Sequence, residues 1–307
     1  MSEDSVETEK PKIKHLVIAG GGTVGLTAYG ALKRLAEQGV WHIDNIETIY
    51  GTSVGAIIGV LLALKFDWTT CDNYIIKRPW DNTFKLNLNT IYNSFANCGM
   101  YDVHSFEKIY VPLFNALDIS INITMREFFE LTKIDVHLFT VELYDFALVD
   151  ISYHTHPDWR VVDAVYASSC LPIIFQPFKK DAKCYVDGGI LCNYPLVNCI
   201  ASLGEMGDIR EILGIRRKSS DNKEVLSDTS NLSDYLMFVL FKIIHSKKIE
   251  DAPKIEREIR LNTDPVSLYN IYLFSTSAHD RERFMREGYE TISELESSGL
   301  GDTLFRD

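Results

Sequence analysis

Short apolar runs alternate with longer runs of helical spacing along most of the chain. Residues 15–19 form an apolar strand, followed by Gly20-Gly21-Gly22-Thr23-Val24-Gly25 and a helical pattern over 26–38 that stops at Gly39. A second unit repeats the plan, with a strand at 46–50, the turn Gly51-Thr52-Ser53-Val54-Gly55 and an apolar helix over 54–64. Residues 136–142 and 146–151 flank Leu143-Tyr144-Asp145 as a hairpin. Helices are predicted at 159–168, 196–203 and 281–295, and strands at 182–187, 209–215 and 269–274. This alternation predicts an α/β fold with a mostly parallel sheet covered on both faces. Between 69 and 101 the pattern weakens and becomes rich in Asn and aromatics, including Pro79, Trp80, Tyr92 and Phe95. That stretch reads either as a lid or pocket wall, or as a plain packed excursion. The polar stretch 219–233 reads as an exposed loop.

Composition limits the partners. Of the 307 residues, 46% are hydrophobic and 11% aromatic, enough for a large core, and the net charge is −12. Such acidity argues against nucleic acid as a partner and against electrostatic docking on an anionic membrane, so any membrane contact would be mainly apolar. No apolar run reaches the length of a membrane span. The longest, 236–244, is interrupted by Lys242 and reads as a buried helix whose Leu236, Phe238, Leu240 and Phe241 form a core stripe, with an interfacial helix as the alternative. Cys71, Cys98, Cys170, Cys184, Cys192 and Cys199 show neither zinc spacing nor a disulfide framework, which favours buried free thiols in a reducing compartment. Residues 1–14 are charged and lack the apolar centre of a signal peptide. They are read as a flexible tail on an intracellular, cytoplasmic protein with peripheral membrane association.

The chemistry concentrates at three glycine-marked strand ends. Gly51-Thr52-Ser53-Val54-Gly55 has the form of a nucleophile elbow, in which a tight strand-to-helix turn projects Ser53 and leaves the Val54 N–H and the helix dipole facing its hydroxyl. Gly20, Gly22 and Gly25 also satisfy a dinucleotide-binding fingerprint. That reading needs an acidic residue at the end of the next strand, whereas Asp44 and Glu47 lie at its start. The same glycines serve better as an oxyanion hole, where side chains would obstruct converging backbone N–H groups. Asp187-Gly188-Gly189 puts a carboxylate at the end of a third strand, at the carboxyl edge of the sheet. Taken alone it is an ordinary Asx turn, and beside the other two motifs it becomes the candidate proton acceptor. A Ser–acid–His triad would have to use His245 or His279, neither of which sits in a glycine-marked loop. His154 and His156 form a weak candidate metal pair, and Lys179-Lys180, Arg216-Arg217-Lys218 and Lys247-Lys248 read as solvated basic patches.

In this order the three motifs resemble the patatin-like phospholipases. The glycine loop at 20–25, the elbow at 51–55 and Asp187-Gly188-Gly189 carry the resemblance, with softer agreement at Ala167-Ser168-Ser169-Cys170-Leu171-Pro172 and Asn193-Tyr194-Pro195. The resemblance implies a patatin-like three-layer α/β fold with a mostly parallel central sheet flanked by helices. It implies a Ser53–Asp187 dyad without histidine, metal or cofactor, and an oxyanion hole from the N–H groups of Gly21 and Gly22 with neighbours including Gly20 and Val54. The implied activity is hydrolysis of lipid acyl esters through an acyl-enzyme, with a membrane or micelle surface as transient partner. Val24 stands where the family usually has Arg or Lys, which weakens the expectation of a phosphate-bearing head group and keeps a neutral-lipid esterase or an acyltransferase open. The expected organisation is a core over 15–203, extending to about 217, with 218–307 packed on it as an extension.

Overall fold

The computed structural model describes residues 11–22, 24–85, 87–218, 226, 232–246, 253–263 and 268–297. Along the chain, β1 (His15–Ile18), α1 (Val24–Glu37), β2 (Thr48–Thr52) and α2 (Val54–Ala63) form the two opening units. Then come α3 (Trp68–Lys77), α4 (Leu88–Asn97), β3 (Gly99–Tyr101), α5 (Val103–Ala116) and α6 (Met125–Thr132). The hairpin β4 (Asp135–Glu142) and β5 (Ala147–Ile151) precedes α7 (Val161–Ser169), β6 (Ile173–Phe175), β7 (Phe178–Lys180), β8 (Lys183–Asp187) and α8 (Leu196–Leu203). The chain closes with β9 (Ile212–Arg217), α9 (Leu232–Ser246), β10 (Arg257–Leu261), α10 (Leu268–Thr276) and α11 (Ala278–Ser297).

The central sheet runs β10-β9-β1-β2-β4-β8-β7, with β5 also on β4. The strands from β10 to β4 are parallel, while β5, β8 and β7 are antiparallel to their neighbours. Side chains of β1 alternate between two apolar layers, Leu16 and Ile18 packing on one face and Val17 on the other with Tyr50, Phe139 and Leu196. Both faces are therefore covered, and β1 reads as a continuous apolar run for that reason. Helices α1 and α11 cross at glycines: a Cβ on Gly30 would lie 1.9 Å from Met285 O, and one on Gly288 1.8 Å from Thr27 O. Their backbones come closer than any side chain permits.

Several expectations are corrected. Residues 269–274 lie in α10, a helix, not in a strand. The parallel edge strand β10 was not anticipated, and the strand predicted from 209 begins at Ile212 after a single 3₁₀ turn. Residues 11–14 are not a flexible tail: Ile13 is buried, and the Lys14 N–H donates to Glu211 O at 2.9 Å, extending the β1–β9 pairing. The stretch 236–244 is only half-buried, since Met237, Phe241 and Ile244 face inward while Leu236, Val239 and Ile243 are exposed. Four cysteines are buried, Cys192 is intermediate and Cys98 is exposed where α4 ends in a left-handed cap. Most of 219–233, and Lys247-Lys248, lie outside the described residues.

Candidate active site

Ser53 alone makes the turn between β2 and α2, with φ 56° and ψ −125°. A non-glycine residue holds such a conformation only where its surroundings over-determine it, at a cost on the order of 1–3 kcal/mol. The surroundings do so here. A Cβ on Gly51 would sit 2.6 Å from Gly55 O, and one on Gly55 2.1 Å from Ile18 O, so both glycines are needed for strand and helix to close together beside β1. The Ser53 N–H donates to Ser168 Oγ at 3.0 Å, Ser168 Oγ donates to Phe139 O at 2.7 Å, and Ser169 Oγ donates to Ser53 O at 3.0 Å. The carboxyl end of α7 thus grips both backbone groups of the turn.

The Ser53 hydroxyl makes no cap to its own helix and donates to Asp187 Oδ2 at 2.6 Å. The other carboxylate oxygen, Oδ1, accepts the Gly189 N–H at 2.7 Å. Asp187 is 2% exposed, and burial pushes its carboxyl up to about 6 despite the opposing pull of the Ser53 hydroxyl and the Gly189 N–H. The route by which it arrives differs from the expected one. Strand β8 is antiparallel to β4, so Asp187 reaches the carboxyl edge of the parallel strands from the opposite direction. Thr52, the last residue of β2, pairs with Phe139 and Asp187 with Thr140, while β5 pairs with both of those β4 residues from the opposite side. Strands β2 and β8 therefore meet head-on along one side of β4. Thr140 Oγ1 ties the junction, its one hydroxyl proton shared between Ala167 O at 2.7 Å and Val186 O at 2.9 Å.

The glycine loop converges on the same point. A Cβ on Gly20 would lie 3.1 Å from Ser53 Cβ and 2.5 Å from Asn193 Oδ1. Asn193 clamps the loop from both directions, its carbonyl accepting the Gly20 N–H at 2.9 Å and its Nδ2 donating to Gly20 O at 3.2 Å. Gly22 takes the left-handed φ of 57° that starts the turn into α1, and a Cβ on Gly25 would meet Val54 at 2.1 Å. The loop faces a serine elbow, and β2 ends without the carboxylate that ribose binding requires.

Gly20, Gly21, Gly22, Ser53, Val54 and Asp187 all line one cavity of about 200 Å³. Its remaining wall is overwhelmingly apolar. Val54, Ile58 and Leu61 lie along one stripe of α2, with Tyr110, Leu113 and Phe106 of α5 also in the wall. From Ser53 to Leu61 the rise of the helix amounts to about 12 Å. Arg217, at the end of β9, is the one cationic side chain in that lining among the described residues.

No histidine lines the cavity among the described residues. His279 is exposed near the start of α11 beside Asp280, and the His245 side chain lies outside the described residues. His154 turns toward Asp135 at 3.4 Å, while His156 pairs with Thr155 at 2.9 Å, and no group of three or more potential ligands is placed to hold a metal among the described residues. The basic patches are in part engaged in ion pairs, Lys180 with Asp163 at 3.3 Å and Arg216 with Glu258 at 2.9 Å. Sequence reasoning assigned no role to Thr140, Ser168, Ser169 or Asn193. The serines and Asn193 carried a signal as small and polar residues flanking the Asp187 strand; Thr140, one threonine in a β-run, carried none.

The family model for patatin-like phospholipases matches residues 16–200. Over 190 residues the chain is 30% identical to Probable lipid hydrolase 463L of Invertebrate iridescent virus 6, covering 61% of this chain and 63% of that protein. Over 187 residues it is 28% identical to Uncharacterized protein R571 of Acanthamoeba polyphaga mimivirus, covering 60% and 61% respectively. Over 183 residues it is 27% identical to Patatin-like phospholipase domain-containing protein 7 of Mus musculus, covering 59% of this chain and 12% of that one. The alignments therefore span less than two thirds of these relatives' own lengths. Among solved structures, VipD from Legionella pneumophila is similar in fold, with a TM-score of 0.56 at 18% identity over 94% of this chain and 67% of that one. The three-layer α/β architecture is thus patatin-like, and the family match runs from β1 into α8 through all three glycine-marked motifs: this chain belongs to the patatin-like phospholipase family.

Proposed function

We propose that the protein is a serine-type hydrolase of lipid acyl esters that works through Ser53 and Asp187. The observation that carries the reading is the 2.6 Å hydrogen bond from Ser53 Oγ to a buried Asp187 at the head of an apolar cavity. Ser53 Oγ attacks the ester carbonyl while its proton passes to Asp187 Oδ2. A carboxyl raised to about 6 is a better base than an exposed one and is still ionised at pH 7. The Gly20 N–H is spent on Asn193 O, so the expected Gly20 donor drops out, and the tetrahedral oxyanion takes hydrogen bonds from the N–H groups of Gly21, Gly22 and Val54, with the amino-terminal dipole of α2 behind them. Collapse breaks the ester C–O bond, Asp187 returns the proton to the leaving alcohol, and the acyl group remains on Ser53. Water then attacks this acyl-enzyme as Asp187 takes its proton, the bond from Ser53 Oγ to the acyl carbon breaks, and Asp187 returns the proton to Ser53 Oγ as the fatty acid leaves. The acyl chain lies along the apolar stripe of α2.

Arg217 favours a phosphate-bearing lipid, because it supplies to the cavity a cation that Val24 does not supply from the glycine loop. Val24 itself favours the second reading, a neutral-lipid esterase or an acyltransferase on the same dyad. The test is release of fatty acid from mixed micelles holding a diacyl phospholipid and a triacylglycerol in equal amounts. The proposal predicts release by the wild type and none by Ser53→Ala, with the phospholipid preferred and Arg217→Gln narrowing that preference. Preference for triacylglycerol with an intact Ser53 requirement transfers support to the second reading, and release by Ser53→Ala rejects both.

A further inference from the structure

Three helices beside the cavity carry apolar side chains on their outer surfaces. In α4 the stripe Leu88, Ile91, Tyr92 and Phe95 has the i, i+3, i+4, i+7 spacing of a core-facing helix, yet those residues are 85%, 44%, 77% and 82% exposed. Helix α9 has two stripes. Met237, Phe241 and Ile244 point inward, and Phe241 and Ile244 line the cavity, whereas Leu232, Leu236, Val239 and Ile243 form an exposed row on the outside. Helix α10 repeats the arrangement with Ile271 and Phe274 in the cavity wall and Tyr269 and Tyr272 exposed. The three belong to one region. Tyr101 of β3, directly after α4, shares an apolar cluster with Met237, Phe241, Ile244 and Ile271, and Phe84 ahead of α4 packs on it.

Charge identifies the occupant. In a chain that is 24% charged, α4 and α10 contain no Asp, Glu, Lys or Arg, and α9 contains only Asp234 and Lys242. The polar residues of α4 are Asn, Thr and Ser throughout. Among the described residues of these helices an anionic membrane would find Lys242 as the one lysine or arginine, and it would meet a net charge of −12 behind it, which opposes association. A zwitterionic lipid surface offers an apolar interior for the Leu, Ile and Phe side chains and an interfacial zone for Tyr92, Tyr235, Tyr269 and Tyr272. We propose that α4, α9 and α10 together dock the protein on an electrically neutral, zwitterionic phospholipid surface, with α4 as the inserting element. Because the inner faces of α9 and α10 are walls of the cavity that holds Ser53, docking brings that cavity against the lipid. Only this delivery role rests on the lipid-ester reading; docking itself does not.

The test uses the full chain carrying Ser53→Ala, so that binding is read without turnover, in co-flotation with phosphatidylcholine vesicles. A second protein adds Leu88→Ser, Tyr92→Ser and Phe95→Ser, all at exposed positions, with its melting temperature checked against the parent. The expected result is flotation of the parent that persists in high salt and weakens when phosphatidylserine is mixed in. The triple variant should bind at least about tenfold more weakly, as the loss of three inserted apolar side chains requires. Failure of the parent to float, equal flotation of the triple variant, or flotation only with phosphatidylserine would overturn the proposal. So would a dimer in solution that the triple variant dissolves, which assigns the surface to a second copy of the chain. Turnover of a water-soluble short-chain ester, measured on proteins that retain Ser53, separates the two ideas. The triple variant should keep that turnover, and its absence from the wild type alongside intact vesicle binding would reject the esterase reading while leaving docking in place.

Discussion

Ser53 and Asp187, 134 residues apart in the chain, are held at hydrogen-bond distance by consecutive residues of a single strand, Phe139 and Thr140 of β4. Strand β2 brings the serine to Phe139 from one direction and β8 brings the aspartate to Thr140 from the other. The spacing of this pair is thereby set by one peptide unit of β4, a rigid element buried between two helical layers, and not by flexible loops.

Burial of Asp187 has a definite pH signature. In the proposed mechanism activity requires the carboxylate, so kcat/KM should fall as the pH drops through about 6. Stability moves the opposite way. A carboxyl raised from its ordinary 3.8 to about 6 binds its proton more tightly in the folded chain. Its stabilising contribution is fully present below about pH 4 and is lost as the pH rises through about 6. Asp187→Asn should therefore be inactive yet more stable than the wild type above pH 7, by an amount on the order of 3 kcal/mol at most, with the difference vanishing near pH 4. Chemical denaturation of the two proteins at both pH values checks the sign.

Ser168 holds the elbow without entering the cavity. Ser168→Val leaves the Ser53 N–H and Phe139 O of a buried turn without that partner, at a cost of about 1–3 kcal/mol. The expected result is a lower melting temperature together with a fall in kcat larger than any change in KM, because the strained serine is released from its position. Ser168→Thr, which restores the hydroxyl, should recover most of the kcat.

Leu61 lies about 12 Å along α2 from Ser53, toward the far end of the apolar stripe. Leu61→Phe fills that end of the cavity. The ratio of kcat/KM for a long-chain ester to that for a butyryl ester should drop about tenfold, a discrimination of the size that a few methylenes in an apolar pocket support. An unchanged ratio would place the acyl chain elsewhere.

The fold and the candidate site, with Ser53 and Asp187 brought together, were legible because their signals are local. A strand running straight into Gly51-Thr52-Ser53-Val54-Gly55 or into Asp187-Gly188-Gly189 can be recognised without knowing its neighbours. Strand direction cannot: the residues of β8 carry no mark of being antiparallel, so Asp187 was assigned to the right place by the wrong geometry. Residues 269–274 are an apolar run too short for its period to separate strand from helix. In β10 the apolar Ile259 and Leu261 alternate with Glu258 and Arg260, and Glu258 is satisfied by Arg216 of the neighbouring strand, a partner visible only in three dimensions. The stripe of α4 has the pattern of a packed helix, and sequence alone has no means of telling that its apolar face is exposed.

The central claim is that Ser53 is an activated nucleophile and Asp187 the group that activates it. Fluorophosphonate labelling of the purified protein, with the modified peptide identified by mass spectrometry, tests it directly. The account predicts a single adduct on Ser53, absent in Ser53→Ala and formed at least about a hundredfold more slowly in Asp187→Asn. Labelling of Ser53 at an undiminished rate in Asp187→Asn, or no labelling of the folded wild type with phosphatidylcholine micelles present, would contradict it.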